Sequence, residues 1–377
     1  MNLINQHEHV IALGFMSGTS LDGLDAAIIE TDGISVRDFG PTLSAKYEAG
    51  FRQKLKAAVE VAAATDSPCT DQALIDEFTD LHVQLAQKLS EKCQGEGSKW
   101  RSFGLVGMHG HTVVHRPNIG LTQQIGNGEK LAQALSVPVI ADLRQNDIQM
   151  GGQGAPLAPA YHAALYGTEE RPICIVNIGG ISNVTWIGSA DEELIAFDTG
   201  PGNGLIDAWM EMKTGAPIDM NGETASRGKI NDRILDRLTR HSYYSAQYPK
   251  SLDRSDLSFD EIKSLDVEDG AATLVAYTVQ TILSGISICP AIPRKIFVTG
   301  GGRHNPEIMN KLRAGAPCDV APVDDSGWDG DMVEAQAFGF LAVRSAKGMP
   351  ITFPGTTGAP EPLSGGKLFL PNAKRFT

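Results

Sequence analysis

The chain has 377 residues, a formal net charge of −13 and a hydrophobic content of 42%. This length suffices for more than one packed core, and two domains are expected because a domain usually holds about 100–200 residues. Lysine and arginine form no run, so the basic face that phosphate-backbone contacts need is missing and a nucleic-acid partner is disfavoured.

Cysteine usage and the N-terminus indicate where the protein works. The five cysteines are widely spaced, without a CxxC pair, and suit a reducing compartment better than a disulfide framework or a zinc site. The start, MNLINQHEHV, lacks the basic and long apolar parts of a signal peptide. Residues 271–293 carry no charge, but polar residues and Pro290 interrupt them, which predicts a buried helix rather than a membrane span. We therefore expect a cytoplasmic protein without a membrane partner.

The first half of the chain predicts alternating strands and helices. Apolar residues recur at helical spacing in 71–93, which is typical of an amphipathic helix. Glycine and proline punctuate the end of this half, which marks a hinge or domain boundary. In chain order, the predicted elements are strand–turn–strand at 11–29, strand and loop at 33–45, helices at 50–64 and 71–93, a buried strand with a histidine-rich turn at 103–115, a strand at 137–144, and a Gly/Pro loop leading into a helix at 149–167.

The second half repeats the plan of the first. "ICIVNIGGISNVTWIG" (173–188) predicts two strands around a glycine turn, as "IALGFMSGTSLDGLDAAII" (11–29) does. Strand, triple glycine and helix follow at 295–312, and a terminal helix at 330–345. Two glycine-tipped hairpins in corresponding places indicate an internal duplication, and the alternation of elements indicates an α/β class with both sheet faces covered.

The three glycine turns have two interpretations. A glycine pair between strands commonly serves only a hairpin that needs φ > 0. Turns flanked by Ser, Thr and Asn also let backbone N–H groups approach an anion, so two hairpins could clamp a triphosphate while Gly300, Gly301 and Gly302 take the base and sugar. GxxxxGK[ST] is absent, and "GGGRHN" lacks the GxGxxG spacing of a dinucleotide site.

Five strings, two of them from the glycine-tipped hairpins, carry a family resemblance: "MSGTSLDGLD", "MHGHTVVH", "ADLRQNDIQMGGQGAPLAP", "NIGGISNVT" and "FDTGPGNGLIDAW". Together they closely resemble the anhydro-N-acetylmuramic acid kinase family, within the sugar kinase–chaperone ATPase–actin superfamily, from the first strand to "TTGAPEPL". The resemblance implies two duplicated actin-like, ribonuclease-H-like domains flanking a nucleotide cleft. It also implies ATP-dependent opening of the 1,6-anhydro ring with water, giving N-acetylmuramic acid 6-phosphate and ADP, in recycling of cell-wall sugar.

The resemblance implies domains, ligands and an assembly. We expect an N-terminal domain at 1–145, to which 350–377 could return, and a C-terminal domain at 146–349. The expected cofactors are ATP and Mg²⁺, the expected substrate is the anhydrosugar, and a homodimer is expected. The ATP-binding residues implied are Gly18, Thr19, Ser20, Leu21, Asp22, Gly23, Leu24, Asp25, Gly179, Gly180, Gly300, Gly301 and Glu334.

The acids and histidines complete the expected site. The family's general base falls on Asp198, which could otherwise be a turn or cap carboxylate. His111, Thr112, Arg144 and Asp147 are expected at the sugar, with Arg144 pairing its planar fork with the lactyl carboxylate. Alternatively, Asp142, Arg144 and Asp147 belong to a surface ion cluster. His109, His111 and His115 lack the companions of a zinc site.

The sequence does not assign the magnesium ligands. Related first hairpins carry an Asp just before the turn, whereas this chain has Met16 there and its acids, Asp22 and Asp25, come later.

Two other functions compete with this one. A kinase for a different sugar is disfavoured only by the resemblance. A non-catalytic, nucleotide-switched protein of the same fold would carry a large peptide-binding or filament-forming extension, which 377 residues do not accommodate.

Overall fold

The computed structural model describes residues 5, 8–18, 20–95, 97–167, 169–190, 193–252 and 257–372. It divides into two compact units: unit 1 is Met1–Gly167 with Met332–Thr377, and unit 2 is Thr168–Asp331. The strands are β1 Val10–Met16, β2 Gly23–Thr31, β3 Val36–Lys46, β4 Leu105–Met108, β5 His111–Arg116, β6 Leu121–Ile125, β7 Val139–Ala141, β8 Ile173–Ile178, β9 Ile181–Ile187, β10 Leu194–Pro201, β11 Lys295–Thr299, β12 Asp319–Pro322 and β13 Lys367–Phe369.

The α-helices surround these strands within each unit. They are α1 Ala49–Thr65, α2 Gln72–Lys92, α3 Gly128–Leu135, α4 Gln145–Gln149, α5 Pro159–Leu165, α6 Gly204–Thr214, α7 Asp232–Thr239, α8 Ser242–Ser245, α9 Val267–Ser287, α10 Pro306–Gly315, α11 Val333–Ala346 and α12 Pro354–Thr357. The predicted α/β class is confirmed.

Unit 1 is built on a six-stranded sheet with the order β13-β7-β4-β1-β2-β3. Its central strand β1 pairs antiparallel with β2 and parallel with β4. Ala12, Leu13 and Phe15 of β1 are all fully buried, so both faces of this strand are covered, as the continuous apolar run predicts.

Unit 2 repeats this arrangement. Its sheet has the order β10-β9-β8-β11-β12, with β8/β9 and β9/β10 antiparallel and β8/β11 and β11/β12 parallel. The strands β3-β2-β1-β4-β7 of unit 1 have the same order and directions. The duplication predicted from the two glycine-tipped hairpins is confirmed.

The compact units have other bounds than the predicted domains, 1–145 and 146–349. Residues 146–167 and 332–349 belong to unit 1, because α11 packs on β1, β2 and β4. A Cβ atom on Gly14 would overlap the carbonyl oxygen of Ala335, and one on Gly107 would overlap that of Phe338. Glycines in two neighbouring strands thus allow the close approach of α11 to the sheet.

Two predicted helices take the form that their sequences require. The Asp71 side chain caps α2 by accepting from the N–H of Leu74, and the apolar face of the helix is buried. Helix α9 is buried along most of its length, as predicted for the charge-free stretch. Among the described residues, no helix has the length and apolar content needed to cross a membrane.

The region 103–115 differs from the prediction of one strand followed by a histidine-rich turn. Strand β4 ends at Met108, and after a turn at Gly110, which has φ 79°, a second strand begins at His111. That strand, β5, pairs with β6 in a separate two-stranded sheet. In "HTVVHR" the two valines stand together between pairs of polar residues, so no polar–apolar alternation marks this strand.

Candidate active site

The β1–β2 turn of unit 1 carries most of the residues expected to bind ATP. The N–H of Leu21 donates to the carbonyl oxygen of Gly18 at 3.2 Å, and the Ser20 hydroxyl donates to Asp22 Oδ1 at 2.7 Å. Thr19 lies outside the described residues. Gly23 begins β2, and Leu24 is buried in the core of unit 1, so only the backbone of Leu24 could meet a nucleotide.

The β8–β9 turn of unit 2 has two glycines that its own geometry does not require. Neither Gly179 nor Gly180 has a positive φ, so the simpler hairpin interpretation does not explain them. A Cβ atom on Gly180 would meet no atom within 4 Å. The turn is anchored from below, because the N–H of Asn203 donates to Gly179 O at 2.7 Å. The backbone of this turn is therefore held by hydrogen bonds, and space is open on the side to which a Cβ of Gly180 would point.

The third glycine turn connects β11 to α10 in unit 2. Gly300 has φ 76°, and a Cβ there would strike Asn177 Oδ1, whereas Gly301 has room for one. The buried Arg303 guanidinium donates to Gly300 O at 3.1 Å and to Asp331 Oδ1 at 2.7 Å. Its further ion pair with Asp324 completes the support of this loop.

A buried polar chain lies behind the β1–β2 turn. Ser17 Oγ is 2.8 Å from His111 Nδ1 and 2.6 Å from the Tyr47 hydroxyl. Burial lowers the pKa of His111 to about 4, so its ring is neutral at pH 7 and shares a hydrogen bond with the Ser17 hydroxyl. Thr112 follows at the start of β5 and is partly exposed. His111, which is expected to contact the sugar, therefore also stabilises the turn that begins at Ser17.

Arg144 is held by a neutral histidine. Its Nε and Nη2 atoms both donate to His109 Nε2, at 3.2 and 2.9 Å, and Nη1 donates to Gly154 O at 2.7 Å. The His109 ring packs on Phe338 with centroids 4.5 Å apart. A guanidinium has five N–H donors, so the half-buried Arg144 keeps two for a ligand.

The charge of Arg144 survives its surroundings. Burial lowers the pKa of Arg144 to about 10, against the opposing effects of Glu334 and Asp147, so the side chain is a cation at neutral pH. Asp147 itself is buried, and its two oxygens accept from Gly154 N–H and the Thr357 hydroxyl, both at 2.6 Å. Asp147 shapes the loop that receives Arg144, and a direct contact of Asp147 with substrate stays a prediction.

Two carboxylates of unit 1, Asp25 and Glu334, lie close to Met16, which stands where related hairpins carry an Asp. Asp25 pairs with Met16 across β1 and β2. Desolvation raises the pKa of Glu334, Arg144 opposes this, and Asp25 adds to it, so the two acids are near enough to repel. Among the described residues, no group of three or more His, Cys, Asp or Glu side chains could hold a metal.

Asp198 lies on β10 at a bulge between residues 198 and 200. Its Oδ2 accepts from the N–H of Leu252 at 2.9 Å, and no described residue hydrogen-bonds to Oδ1. Burial raises the pKa of Asp198 to about 6, although the Leu252 N–H opposes the shift. The carboxylate therefore has one fixed oxygen and one available oxygen, with a proton affinity suited to general base catalysis.

The comparison with known families covers nearly the whole chain. A family model described as anhydro-N-acetylmuramic acid kinase matches residues 10–371. The chain belongs to the anhydro-N-acetylmuramic acid kinase family. This confirms the family predicted from the five motifs and, with it, the predicted class of enzyme, an ATP-dependent sugar kinase.

Individual members of the anhydro-N-acetylmuramic acid kinase family align end to end with this chain. The kinase of Rhodospirillum rubrum is 45% identical over 372 residues, covering 97% of this chain and 96% of that protein. The kinase of Rhizorhabdus wittichii is 43% identical over 366 residues, covering 96% and 99%. A ROK family glucokinase from Streptomyces griseus, solved with glucose and AMPPNP, covers 88% of this chain at 14% identity with a TM-score of 0.43.

Sequence reasoning missed the supports of the expected residues. It did not connect Ser17 and Tyr47 with His111, or His109 with Arg144, because these pairs are far apart in the chain. It also assigned nothing to residues 243–252, which contact Asp198. The aromatic and lysine content of "YYSAQYPK" is the only local signal, and it does not by itself point to a carboxylate.

Proposed function

We propose that the chain uses ATP and water to convert 1,6-anhydro-N-acetylmuramic acid into N-acetylmuramic acid 6-phosphate and ADP, in the recycling of cell-wall sugar. Family membership supports the substrate. The single observation that carries the reaction is the state of Asp198, which has one oxygen fixed by Leu252, the other without a described partner, and a raised pKa.

Asp198 acts as the general base in this proposal. It takes a proton from water as the water oxygen attacks the anomeric carbon, and the C1–O6 bond breaks. The released O6 forms a bond to the γ-phosphorus of ATP, ADP leaves, and Asp198 later gives its proton to solvent. The water contributes the new hydroxyl at C1, and the phosphoryl group goes to O6.

The glycine turns are proposed as the ATP contacts of each unit. In unit 1 these are Gly18 and its neighbours, whose backbone N–H groups would meet phosphate oxygens. In unit 2, a Cβ on Gly180 would meet no atom within 4 Å, whereas one on Gly179 would contact Ile181 O at 3.5 Å, so the room for a phosphate lies at Gly180. Gly300 and Gly301 would meet the nucleoside.

Asp25 and Glu334 are the residues that fit Mg²⁺. Mg²⁺ commonly binds through one or two carboxylates, waters and substrate phosphates, so a pair of acids suffices. Desolvation is the main cause of the raised pKa of Glu334, and Asp25 adds a repulsion to it; a bound cation would oppose both effects. When bound, Mg²⁺ supplies neutralisation of phosphate charge.

Arg144 is proposed to recognise the lactyl carboxylate of the sugar. Its two remaining N–H donors form the kind of fork that binds a carboxylate through two hydrogen bonds. His111 and Thr112 of β5 would line the same sugar site. Arg144 also provides the distinction from a kinase for another sugar, because few sugars carry a carboxylate at this place.

The test is product analysis with anhydrosugar, ATP and ¹⁸O-water. We expect one ADP per sugar, ¹⁸O at C1, and none in the phosphate or its bridge to O6. A control with unlabelled product in ¹⁸O-water measures exchange at C1 without turnover. ADP release without sugar consumption, or ¹⁸O in the phosphate, would overturn the proposed reaction.

Assembly and location are separate proposals. A homodimer stays a prediction, and light scattering of the purified chain would show it as twice the chain mass of 40.2 kDa. All five cysteines are free thiols, which supports the proposed cytoplasmic location because thiols persist in reducing compartments.

A further inference from the structure

A segment of unit 2, residues 243–252, holds Asp198 at three atoms. We call this segment the strap. The Tyr243 hydroxyl donates to the Asp198 carbonyl oxygen at 2.7 Å. The Asp198 N–H donates to the carbonyl oxygen of Lys250 at 3.2 Å, and the Leu252 N–H donates to Oδ2 at 2.9 Å. The strap therefore fixes both the backbone and the carboxylate of Asp198.

Lys250 ties the strap to itself. Its side chain is 9% exposed, and Nζ donates to the carbonyl oxygens of Tyr243 at 2.9 Å and Tyr244 at 3.3 Å. Nζ also lies 4.8 Å from the Tyr243 ring centroid and 5.3 Å from that of Phe197. Among the described residues no carboxylate pairs with Lys250, so its charge is satisfied by the strap backbone and by aromatic faces.

Burial of a lysine is costly and calls for a reason. Desolvation lowers the pKa of Lys250, and a buried ammonium without hydrogen bonds would be strongly unfavourable. Its carbonyl partners belong to Tyr243, which hydrogen-bonds the Asp198 backbone, and to Tyr244. Lys250 is itself two residues from Leu252, so the ammonium connects the two ends of the strap that grip Asp198.

We propose that Lys250 is a positioning residue for the reaction: by closing the strap, it keeps the Leu252 N–H on one oxygen of Asp198 and leaves the other oxygen for the attacking water. This inference rests on the proposed function of Asp198. A carboxylate rotates about a broad, roughly two-fold torsion, so an unheld Asp198 would present either oxygen at varied angles. A base must be within hydrogen-bond reach of its proton in a defined pose, which makes orientation part of its effect.

The test compares two lysines of unit 2. Lys250→Met keeps the length and apolar packing of the side chain and removes the ammonium. Lys213→Met is the matched control, because Lys213 Nζ also donates to two carbonyl oxygens, of Lys263 and Leu265, both at 3.0 Å, and lies 4.5 Å from the Trp209 ring centroid. Tyr243→Phe is a milder second variant that keeps the ring and removes the hydroxyl that donates to the Asp198 carbonyl oxygen.

We expect Lys250→Met to lower kcat about 10- to 100-fold while KM for ATP and for anhydrosugar change less than about twofold. The acidic limb of the kcat/KM profile should move to higher pH, because losing the Leu252 N–H removes a bond that favours the charged carboxylate. Tyr243→Phe should lower kcat and move the acidic limb to higher pH, both to a smaller extent than Lys250→Met. Lys213→Met should lose comparable thermal stability with kcat and the acidic limb unchanged.

A second measurement separates this inference from the proposed function. Carbon-13 labelling of aspartate, with Asp198→Asn to assign the resonance, gives the pKa of Asp198 directly by NMR, without turnover. A raised Asp198 pKa in Lys250→Met supports the strap even if the wild-type chain fails to phosphorylate the anhydrosugar. An unchanged kcat and Asp198 pKa in Lys250→Met, or an equal loss of kcat in Lys213→Met, overturns it. If Lys250→Met does not fold, the same two readouts in Tyr243→Phe decide.

Discussion

Gly180→Ala isolates what a methyl group does to ATP binding at the β8–β9 turn. The structure predicts that the protein itself tolerates this methyl, because the added Cβ meets no atom within 4 Å and Gly180 does not have a positive φ. At such a position an alanine stabilises a protein by about 0.4–1 kcal/mol, through the lower entropy of the unfolded chain. Any loss of function must then come from a ligand.

The expected loss follows from the close approach of phosphate to the turn. Forcing an extra methyl into a packed contact costs about 1–3 kcal/mol, and about 1.4 kcal/mol corresponds to a tenfold change in Kd. Gly180→Ala should therefore weaken ATP about 5- to 150-fold, and Gly180→Val should weaken it further. Both variants should unfold at or slightly above the wild-type temperature, and the increase should be smaller for Gly180→Val than for Gly180→Ala.

Calorimetry with a non-hydrolysable ATP analogue and thermal unfolding without nucleotide measure the two effects separately. Gly50→Ala on α1 is the matched control, since its Cβ also meets nothing within 4 Å and it lies outside the proposed site. It should raise stability and leave ATP affinity unchanged. Wild-type affinity in both Gly180 variants would refute the assignment of this turn to phosphate.

Three further outcomes are expected. Asp198→Asn should lower kcat by about 10²–10⁴-fold with KM nearly unchanged, measured by coupled ADP release, and near-wild-type turnover would remove Asp198 as base. Because a base must be deprotonated, kcat/KM of the wild type should fall as pH falls through about 6, the raised pKa of Asp198; a flat profile from pH 5 to 8 would contradict this. Arg144→Lys should raise KM about 10- to 100-fold for the anhydrosugar but little for 1,6-anhydro-N-acetylglucosamine, which lacks the carboxylate, and equal effects on both sugars would argue against the pairing.

Much of the fold could be predicted because its signals are local. The periodicity of α2 and the paired hairpins of 11–29 and 173–188 each depend on neighbouring residues, and all are confirmed. The short strand β5 and the bounds of the units were not predictable in this way. They depend on pairing with β6 and on the packing of α11 against strands more than 200 residues earlier.

The site divides along the same line. Asp198 could be proposed from a motif, since its neighbours in the chain are part of the pattern. Its raised pKa and its bond to Leu252 could not, because burial and a partner 54 residues away leave no mark on the local sequence. For Asp147 the motif also failed to show that each oxygen accepts a hydrogen bond from within unit 1.

The packing of α11 on the first strand has a consequence for synthesis of the chain. Gly14 contacts a helix that ends at Ala346, so unit 1 cannot cover this face of its sheet until the ribosome has made almost the entire protein. Unit 2 is one uninterrupted segment, 168–331, and is available in full before that helix emerges. Because domains tend to fold as units during synthesis and distant contacts form slowly, the later segment is expected to become native first. Until α11 has been synthesised, the exposed strands of unit 1 would be the part of the nascent chain that most needs a chaperone.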